Sequence, residues 1–390
     1  MWPRLAAKRA SSRKLMANID VIEVDSSERL KKFITYPFGL YRGNPYYVKP
    51  LISERLEFFD LKKNPFYRSA KVKLFLAVRD GEVCGRVATC INYKHNEYHG
   101  EKTGFFGFLD TPDDFEIARV LLKVAMITLK KEGMEKMRGP MNFSTNHEIG
   151  FLIQGFDLPP TIMMPYNYAY QPKLAEKFGL KKCMDLYGYL ITKEEKIPER
   201  IQNIVNRMQK RTQIKLRTLK LNDFDNEVKR INEIYNQAWS YNWGFVPMSS
   251  EEFFYTAKDL KQIVDADLVF IAEHNDRPVA FSLALPDINQ ALIHLNGHLL
   301  PLGFMKLLWH TKIKNKIDGL RMITMGVIPE FQKRALDSVF FINTYLTGVE
   351  RGYNWAEMSW ILETNDLMCR AAEQMGGRLY KKYRLMEMPL

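Results

Sequence analysis

The pattern of apolar and polar positions predicts paired strands followed by a helix in the first half of the chain. Residues 73–78 and 83–91 are rich in β-branched and aromatic residues and flank a turn at 79–82. A short apolar strand is predicted at 104–109. Apolar residues at helical spacing then run from 115 to 132, after a Thr-Pro-Asp-Asp start and before Gly133. This order of elements predicts an α/β fold.

The same order of elements returns later in the chain. Residues 268–281 match residues 73–86 nearly position by position at an offset of 195, and residues 370–379 resemble residues 173–182 at an offset of 197. Two ordered matches at nearly one offset indicate an internal duplication. We therefore expect two α/β domains, at 17–198 and 223–390, joined by a connecting helix at 199–222 and preceded by a leader at 1–16.

Composition excludes several classes of protein. No stretch approaches the ~18 consecutive apolar residues of a membrane-spanning helix, and 24 Phe, 19 Tyr and 6 Trp are too many for a disordered chain. The four cysteines are scattered and show no CxxC spacing. They predict neither a zinc site nor any other metal centre, and they fit a reducing cytosol. We therefore expect a cytoplasmic protein.

The net charge of +12 is concentrated in two short segments. Residues 1–16 contain five basic residues and residues 200–220 contain seven, and neither segment contains an acidic residue. The rest of the chain is formally neutral, which excludes a uniformly basic coat for nucleic acid. Residues 1–16 lack the apolar core of a signal peptide. We expect them to be a disordered leader, with Met16 as an alternative start to Met1.

Two segments are candidates for contact with a membrane or another partner. Residues 200–220 begin with an apolar helical stripe, so their basic face is suited to anionic phospholipid, an acidic carrier protein, nucleic acid or solvent alone. Residues 299–310 are apolar and precede Lys312, Lys314 and Lys316. This pattern fits either a core helix or a peripheral contact with the inner membrane.

Residues 322–337 carry the strongest motif. They end a strand with Val-Ile-Pro-Glu and lead through Gln-Lys-Arg-Ala into an apolar helix. This run resembles the acyl-CoA loop of the GNAT superfamily of N-acyltransferases, in which backbone N–H groups at a helix N-terminus hold a pyrophosphate. The resemblance implies a co-substrate, acyl-CoA or acyl-carrier protein, and no permanently bound cofactor. The residues implied in binding it are Val327, Gln332, Lys333, Arg334, Ala335 and Asn365.

Several positions depart from the GNAT pattern. Ala335 and Asp337 stand where the family has glycine or another small residue, and the Asp337 carboxylate would repel a phosphate. Ala372 stands where many members have the tyrosine that protonates the leaving thiolate, and Ala175 takes the equivalent place in the first half. The first half also lacks the loop motif, so we expect no standard binding of CoA there.

The resemblance extends over most of residues 37–388. Segments 95–100, 139–146, 238–247, 285–289 and 357–365 resemble a bacterial tandem-GNAT subfamily, to which bacterial ceramide synthases are similar. The implied fold is two tandem GNAT-type α/β domains, each a mixed twisted sheet with flanking helices. The implied activity is acyl transfer to an amine, such as the amine of a sphingoid-type lipid.

N-acyl transfer needs a base that removes a proton from the amine, and two groups of residues are candidates. Glu357 and Glu363 are predicted to share one strand face, and a Glu in an apolar strand is costly unless it is paired or functional. His95 and Glu97, with His99, would alternate onto one face if the segment stayed extended. The alternatives are a buried hydrogen-bonding role for the glutamates and an ordinary surface hairpin for residues 95–99.

Other polar and aromatic residues are candidates for contact with the substrate. Asp287 and Asn289 follow a strand in a Pro-Asp-Ile-Asn turn, which fits either turn chemistry or a substrate contact. The tryptophans at 239, 243 and 360 could line a substrate groove or pack in the core. The candidate substrate-binding residues are Asn146, Asn242, Trp243, Asp287, Asn289 and Trp360.

A second function remains open at this point. The departures from the GNAT pattern also fit a catalytically inactive binding protein on the same scaffold. Its partner would be DNA, bound through the basic residues at 200–220, which would make the protein a regulator.

Overall fold

The structure is a computed structural model, and it describes residues 18–199, 201–203, 213–299 and 317–390. The predicted leader, the middle of the basic segment and most of residues 299–316 therefore lie outside the described residues. The strands are β1 (Ile19–Glu23), β2 (Ala70–Arg79), β3 (Glu82–Asn92), β4 (Thr103–Asp110), β5 (Lys136–Gly139), β6 (Met141–Asn142), β7 (Glu148–Ile149), β8 (Phe151–Gln154), β9 (Lys181–Thr192), β10 (Ile214–Thr218), β11 (Val269–His274), β12 (Arg277–Pro286), β13 (Gly319–Val327), β14 (Trp355–Leu362) and β15 (Arg378–Pro389).

The helices alternate with these strands. They are α1 (Ser27–Leu40), α2 (Ile52–Phe58), α3 (Tyr93–His99), α4 (Phe115–Lys131), α5 (Tyr170–Phe178), α6 (Phe224–Ala238), α7 (Ser250–Leu260), α8 (Asn289–Leu292), α9 (Leu336–Glu350) and α10 (Asp366–Gln374). Short 3-10 turns occur at Pro65–Ser69, Leu221–Asp223, Ala266–Leu268 and Pro329–Phe331.

One mixed sheet runs through the molecule. Its strand order is β1-β2-β3-β4-β5-β15-β9-β14-β13-β12-β11-β10, with β8 beside β15, while β6 and β7 form a separate pair. The pairs β4–β5 and β13–β14 are parallel, and the other pairs are antiparallel. The order in the first half is repeated in the second, with β2, α5 and β9 corresponding to β11, α10 and β15. The predicted α/β fold with two similar halves is confirmed.

The final strands of the two halves are exchanged. Strand β15 lies between β5 and β9, which both belong to the first half, and β9 lies between β15 and β14. The β5–β15 ladder runs from Met386 opposite Gly139 to Pro389 opposite Lys136. The halves are therefore joined in one sheet, and the limits 17–198 and 223–390 remain a prediction.

The local sequence explains the principal elements of the first half. Helix α4 begins after Asp114, whose side chain accepts a hydrogen bond from the Glu116 N–H at 2.9 Å, and its buried residues recur every three or four positions. Asp80 and Gly81 have φ angles of 53° and 82° in the predicted turn between β2 and β3. A two-residue hairpin of this kind favours such residues.

The predicted connecting helix at 199–222 is wrong in its last part. Residues Ile214–Thr218 form the edge strand β10, which pairs with β11. The reason is visible in the sequence, because Ile214 and Leu216 alternate with Lys215 and Arg217. Residues 204–212 of this segment lie outside the described residues.

Candidate active site

Strands β13 and β14 diverge in the middle of the sheet. Their parallel ladder joins Gly319 to Trp355 and continues to Met322 opposite Met358, where it stops. The β14–β9 register also shifts between Met358 and Ile361, as expected at a bulge. Leu320 and Met322 face helix α9, while Arg321 lies on the opposite face. Beyond Met322 and Met358 no ladder joins β13 to β14, and we call this place the gap.

The equivalent strands β4 and β5 also diverge, but their gap is filled. Their ladder covers Thr103 to Phe105 only. The Phe108 N–H donates to Asn142 Oδ1 at 2.8 Å, and a Cβ atom on Gly107 would lie 2.1 Å from the Met141 carbonyl oxygen. Only glycine permits so close an approach of the two backbones. Residues 141–142 thus lie against β4 beyond the end of its ladder with β5.

The loop before α9 has the shape expected for an anion-binding turn. Lys333 and Ala335 have φ angles of 62° and 60°, and α9 begins at Leu336. Gln332 Nε2 donates to the Val327 carbonyl at 3.2 Å, and the Arg334 guanidinium lies 4.6 Å from the Phe331 ring centre. The side chains of residues 332–334 are exposed, so they are accessible to a ligand.

Asn365 has a structural role in this region. Its side chain accepts a hydrogen bond from the Met368 N–H at 3.2 Å and thereby caps α10. This bond fixes the start of the helix beside the divergent strands.

A buried cluster of charged and polar side chains lies on the face opposite α9. Glu357 of β14 is fully buried and accepts a hydrogen bond from Thr161 Oγ1 at 2.7 Å. The Ser359 and Tyr380 hydroxyls also donate to it, and Lys381 Nζ lies 3.4 Å from its Oε2. We call the set Asp287, Arg321, Glu357, Ser359, Tyr380 and Lys381 the buried charge cluster.

Two features of the sheet bring Lys381 and Tyr380 to Glu357 across strand β9. The β15–β9 register shifts between Leu379 and Lys381, so two consecutive side chains reach the same face. Gly188 of β9 lies opposite Lys381 in the ladder and has no side chain. The bulge thus places Tyr380 and Lys381 in contact with Glu357, although β15 and β14 are not neighbours.

The charges of the cluster keep Glu357 ionised. Burial would raise the pKa of Glu357, but the opposite charges of Lys381 and Arg321 and the hydrogen bonds it accepts hold that pKa below its usual range. Arg321 is paired with Glu357 in the ladder, and its Nε donates to Ser359 Oγ at 2.9 Å. Burial lowers the pKa of Arg321, and Glu357 counteracts this.

The pKa of Asp287 is shifted in the opposite direction from that of Glu357. It follows β12 and is buried, and its Oδ1 accepts a hydrogen bond from the Ile162 N–H at 2.8 Å. Burial raises the pKa of Asp287 to about 7. The negative charge of Glu357 raises this pKa further, while the hydrogen bond from the Ile162 N–H lowers it. The two carboxylates of the cluster thus have separate roles, because only Asp287 can gain and lose a proton near neutral pH.

Residues 159–162 of the first half lie over the cluster, and we call them the covering segment. Five hydrogen bonds hold it to the second half. They join Thr161 Oγ1 to Glu357, the Ile162 N–H to Asp287, Arg321 to the Ile162 carbonyl, Asn289 Nδ2 to the Pro160 carbonyl and Lys381 Nζ to the Pro159 carbonyl. The site is therefore built from both halves of the chain.

The expectation that Glu357 and Glu363 share a strand face is wrong. The bulge in β14 turns Ile361 toward the α9 side, together with Met358, which breaks the alternation after Ser359. Glu363 instead lies near the surface, accepting hydrogen bonds from Lys182 Nζ at 2.6 Å and from the Asp185 N–H at 2.9 Å. It belongs to a surface ion-pair network and not to the cluster.

The expectation of an extended segment at 95–99 is also wrong, because Tyr93–His99 forms helix α3. His95 and His99 lie one turn apart with ring centres separated by 4.5 Å, while Glu97 is exposed. Burial lowers the pKa of His95 to about 4, and the neighbouring His99 and Arg138 add to this. His95 and Glu97 therefore form no acid–base pair.

The tryptophans are divided between two places. Trp239 Nε1 donates to the Met325 carbonyl at 3.0 Å, and its ring centre lies 6.0 Å from that of Trp360. These two rings lie beside the gap between β13 and β14. Trp243 lies apart from the cluster, where the Arg138 guanidinium is 5.2 Å from its ring centre.

Asn146 contacts helix α6, and Asn242 lies in a turn of the loop that follows this helix. Asn146 Oδ1 accepts a hydrogen bond from the Tyr235 hydroxyl at 2.6 Å. The Asn242 N–H donates to the Trp239 carbonyl at 2.8 Å, which closes a turn. The cluster thus brings together Asp287 and Glu357, with Asn289 holding its covering segment, while Asn146, Asn242 and Trp243 lie elsewhere.

Comparison with known proteins identifies the family. No protein-family model matches the chain. The chain is 37% identical over 379 residues to the bacterial ceramide synthase of Caulobacter vibrioides, covering 96% of this chain and 98% of that protein. The chain belongs to the bacterial ceramide synthase family. Protein YghO of Escherichia coli is a second relative, 34% identical over 363 residues, with 92% of each chain covered.

Solved structures of other proteins have the same fold as this chain. A tandem GNAT protein from the clavulanic acid biosynthesis pathway has a TM-score of 0.54 at 10% identity, covering 95% of this chain and 98% of that chain. A GCN5-related N-acetyltransferase from Sphaerobacter thermophilus has a TM-score of 0.50 at 12% identity, covering 95% of each. The GNAT fold and the family together support an acyltransferase-type function.

The described residues contain neither a membrane-spanning helix nor a cluster of metal ligands. No helix in these parts of the chain has the length and apolar content needed to cross a bilayer. Across residues 18–199, 201–203, 213–299 and 317–390, no group of three or more His, Cys, Asp or Glu side chains is arranged to hold a metal ion.

Proposed function

We propose that the protein is an N-acyltransferase that transfers an acyl group from acyl-CoA to the amine of a sphingoid-type lipid. The observation that carries the proposal is the pair of buried carboxylates, Asp287 and Glu357, in one cluster on the face of the sheet opposite α9. Glu357 lies one residue before the β13–β14 ladder ends, and Asp287 lies beside Gly319, where the ladder begins. The loop at 327–335 lies at the start of α9, on the other face. The name of the Caulobacter relative supports the choice of a lipid amine.

The gap divides the substrates between the two faces. The donor thioester enters from the α9 side, with its phosphates at the N-terminus of α9 beside the exposed Lys333 and Arg334. The amine approaches from the side of the buried charge cluster. Its lone pair attacks the thioester carbonyl carbon, a C–N bond forms, the C–S bond breaks, and the thiolate leaves and takes a proton from solvent.

Asp287 is the proposed base. A carboxylate with a pKa of about 7 is partly ionised at neutral pH and accepts the proton of the attacking amine. Glu357 remains ionised and positions Lys381 and Tyr380. Because the covering segment shields Asp287, the proposal requires residues 159–162 to shift when the amine binds.

Acyl-carrier protein is the alternative donor, since it presents the same phosphopantetheine arm as CoA. A lipid acceptor would place the reaction at the surface of the inner membrane. The assay below compares the two kinds of donor, and it compares a lipid amine with a small water-soluble amine.

The test is an assay of the purified protein with palmitoyl-CoA and dihydrosphingosine, in which mass spectrometry detects the amide. Parallel reactions replace palmitoyl-CoA with acetyl-CoA or palmitoyl-carrier protein, and dihydrosphingosine with ethanolamine. We expect amide formation with the lipid amine, and a loss of kcat in Asp287→Asn that exceeds any change in KM. Absence of amide with every donor and acceptor would contradict the proposal.

The described residues do not favour the DNA-binding alternative. Arg217, one of the basic residues at 200–220, forms ion pairs with Glu227 at 2.8 Å and Glu273 at 2.7 Å. Its charge is therefore neutralised within the protein. Residues 204–212 lie outside the described residues, so DNA binding through them stays a prediction.

A further inference from the structure

We propose that the acyl chain of the donor lies in an apolar cavity beneath helix α9. The cavity contains about 500 Å³ of space that protein atoms do not fill, including its open side. Its wall includes Leu320, Met322, Phe341, Ala356, Met358 and Met375. The inference rests on the proposed function and deepens it, because it assigns the place in the fold where the acyl chain is bound.

The position of the cavity supports this assignment. Met322 and Met358 form the last pair of the parallel ladder before β13 and β14 diverge, and both line the cavity. The cavity therefore begins where the thioester is proposed to lie. It continues along the same strands to Leu320 and Ala356, away from the loop that would hold the donor phosphates.

The composition of the wall agrees with an acyl chain. Its inner part is formed by aliphatic, aromatic and methionine side chains, and polar residues such as Lys193 and Asn354 lie where the cavity meets the surface. The Tyr345 hydroxyl donates to the Lys193 carbonyl at 2.8 Å, which fixes this rim. An apolar chain gains free energy in such a cavity without leaving a polar group of its own unpaired.

Helix α9 leaves room for the chain through small residues. Gly348 faces Leu320, and a Cβ atom there would lie 3.0 Å from the Leu320 Cδ1 atom. Thr344 is 5% exposed, lines the cavity, and its Oγ1 has no hydrogen-bond partner among the residues that the structure describes. Ala356 forms the opposite wall. The width of the cavity is therefore set at a few positions that can be changed individually.

The first experiment varies the donor. Saturated acyl-CoA donors from acetyl to palmitoyl are compared with one lipid amine. Each methylene buried in the cavity is expected to raise kcat/KM by up to about fourfold, until the cavity is full. A kcat/KM that does not depend on chain length would overturn the inference while leaving the proposed function intact.

The second experiment fills the cavity. Ala356→Phe is expected to lower kcat/KM for palmitoyl-CoA strongly while activity with short donors is kept, which also shows that the variant is folded. Leu346→Phe is the matched control, because Leu346 is exposed on α9 and lies outside the cavity wall, and its chain-length profile should equal that of the wild type. An unchanged profile in Ala356→Phe, or an equal shift in Leu346→Phe, would count against the inference.

A third measurement needs neither a stable variant nor turnover. A palmitoyl-CoA analogue with a diazirine at the end of the chain is photolysed with the wild-type protein, and tryptic peptides are mapped. We expect labels in peptides 335–351 and 371–378, which contain Phe341 and Met375. Labels confined to other peptides would overturn the inference. Such labelling without amide formation in any assay would instead overturn only the proposed function.

Discussion

Glu357 is a carboxylate without exposed surface, and its ionised state depends on the two cations beside it. Removing one partner of a buried ion pair leaves a charge that neither water nor protein compensates. This explains why Lys381, whose side chain crosses a whole strand to reach Glu357, is itself 1% exposed.

Replacing Lys381 is expected to destabilise the protein severely. Lys381→Met should lower the free energy of unfolding by about 3–5 kcal/mol, measured by urea denaturation. Lys102→Met, which breaks an exposed pair with Glu135, should lower it by less than about 1 kcal/mol. Adding Glu357→Gln to Lys381→Met should restore part of the loss. Equal losses in the single and double variants would show that the charge of Glu357 is not the cause.

Asp287 gives the stability of the protein a pH dependence of its own. Its pKa is near 3.8 in the unfolded chain and about 7 in the folded chain. Between these values the folded state holds the proton more tightly, so this group makes the protein less stable as pH rises from about 4 to about 7. The change is on the order of 4 kcal/mol, and above pH 7 it is complete.

The measurement is the free energy of unfolding of wild type and Asp287→Asn across this pH range. The difference between the two should grow from pH 4 to pH 7 in favour of the variant. Asp276→Asn, at an exposed carboxylate, should show no such trend. A constant difference between wild type and Asp287→Asn would mean that Asp287 titrates normally in the folded protein.

At the scale of single residues, the sequence identifies part of the buried charge cluster. Glu357 and Asp287 can be found because a carboxylate in or beside an apolar strand needs an explanation. The same reasoning applies to Arg321, which lies between Leu320 and Met322 and could have been found. Lys381 could not, because β15 is rich in basic residues and only the bulge before it selects the side chain that faces inward.

The turn before α9 shows how an element can keep its shape without its usual residue. Ala335 has a φ angle of 60° at the N-terminus of the helix, a conformation that costs a residue with a Cβ atom about 1 kcal/mol or more. The family motif predicts the turn. The strain appears only in the structure.

Replacing Ala335 by glycine should therefore stabilise the protein. Ala335→Gly is expected to raise the free energy of unfolding by up to about 1 kcal/mol, measured by urea denaturation. Ala371→Gly within α10 is the matched control and should lower it by about 1 kcal/mol, because glycine is unfavourable inside a helix. Destabilisation by both substitutions would show that the turn does not hold Ala335 in the left-handed conformation.

Helix α3 is too short to be predicted from the spacing of its residues. Seven residues are too few for a clear helical period, and the histidine and glutamate spacing also fits a strand. Only the two ends of the helix carry residues typical of helix caps. The Asn92 side chain accepts a hydrogen bond from the His95 N–H at 3.2 Å, and Gly100 has a φ angle of 63°. Caps of this kind could have indicated the helix.

The exchange of β9 and β15 determines how the whole molecule unfolds. Each half lacks one strand of its own and contains one from the other half. Neither half has a complete sheet by itself, so we expect one cooperative transition and not two.

Two probes that report on different halves can test this. In the described residues the tryptophans all lie in the second half, at 239–360, while Cys90 is buried in β3 of the first half. In a variant with serine at positions 84, 183 and 369, tryptophan fluorescence and thiol labelling of Cys90 should change at the same urea concentration. Deletion of residues 378–390 should expose Cys90 as well. Separate midpoints would indicate that the halves unfold independently.

The repeat in the sequence predicts two similar halves, but it cannot predict the exchange. Strands β9 and β15 have the same length and follow equivalent helices, so either could pair with β5. The difference lies in contacts between residues about 250 positions apart, such as Met386 with Gly139. A periodic pattern contains no information on which copy of a strand is chosen.

The same exchange has a consequence for synthesis on the ribosome. Strand β15 follows the other strands of the sheet in the chain, so it is translated after all of them. Until then β5 and β9 present backbone groups that have not met their final partners, and such edges invite wrong pairing. The first half therefore cannot complete its folding before β15 has been made, and growing chains depend on protection from aggregation until then.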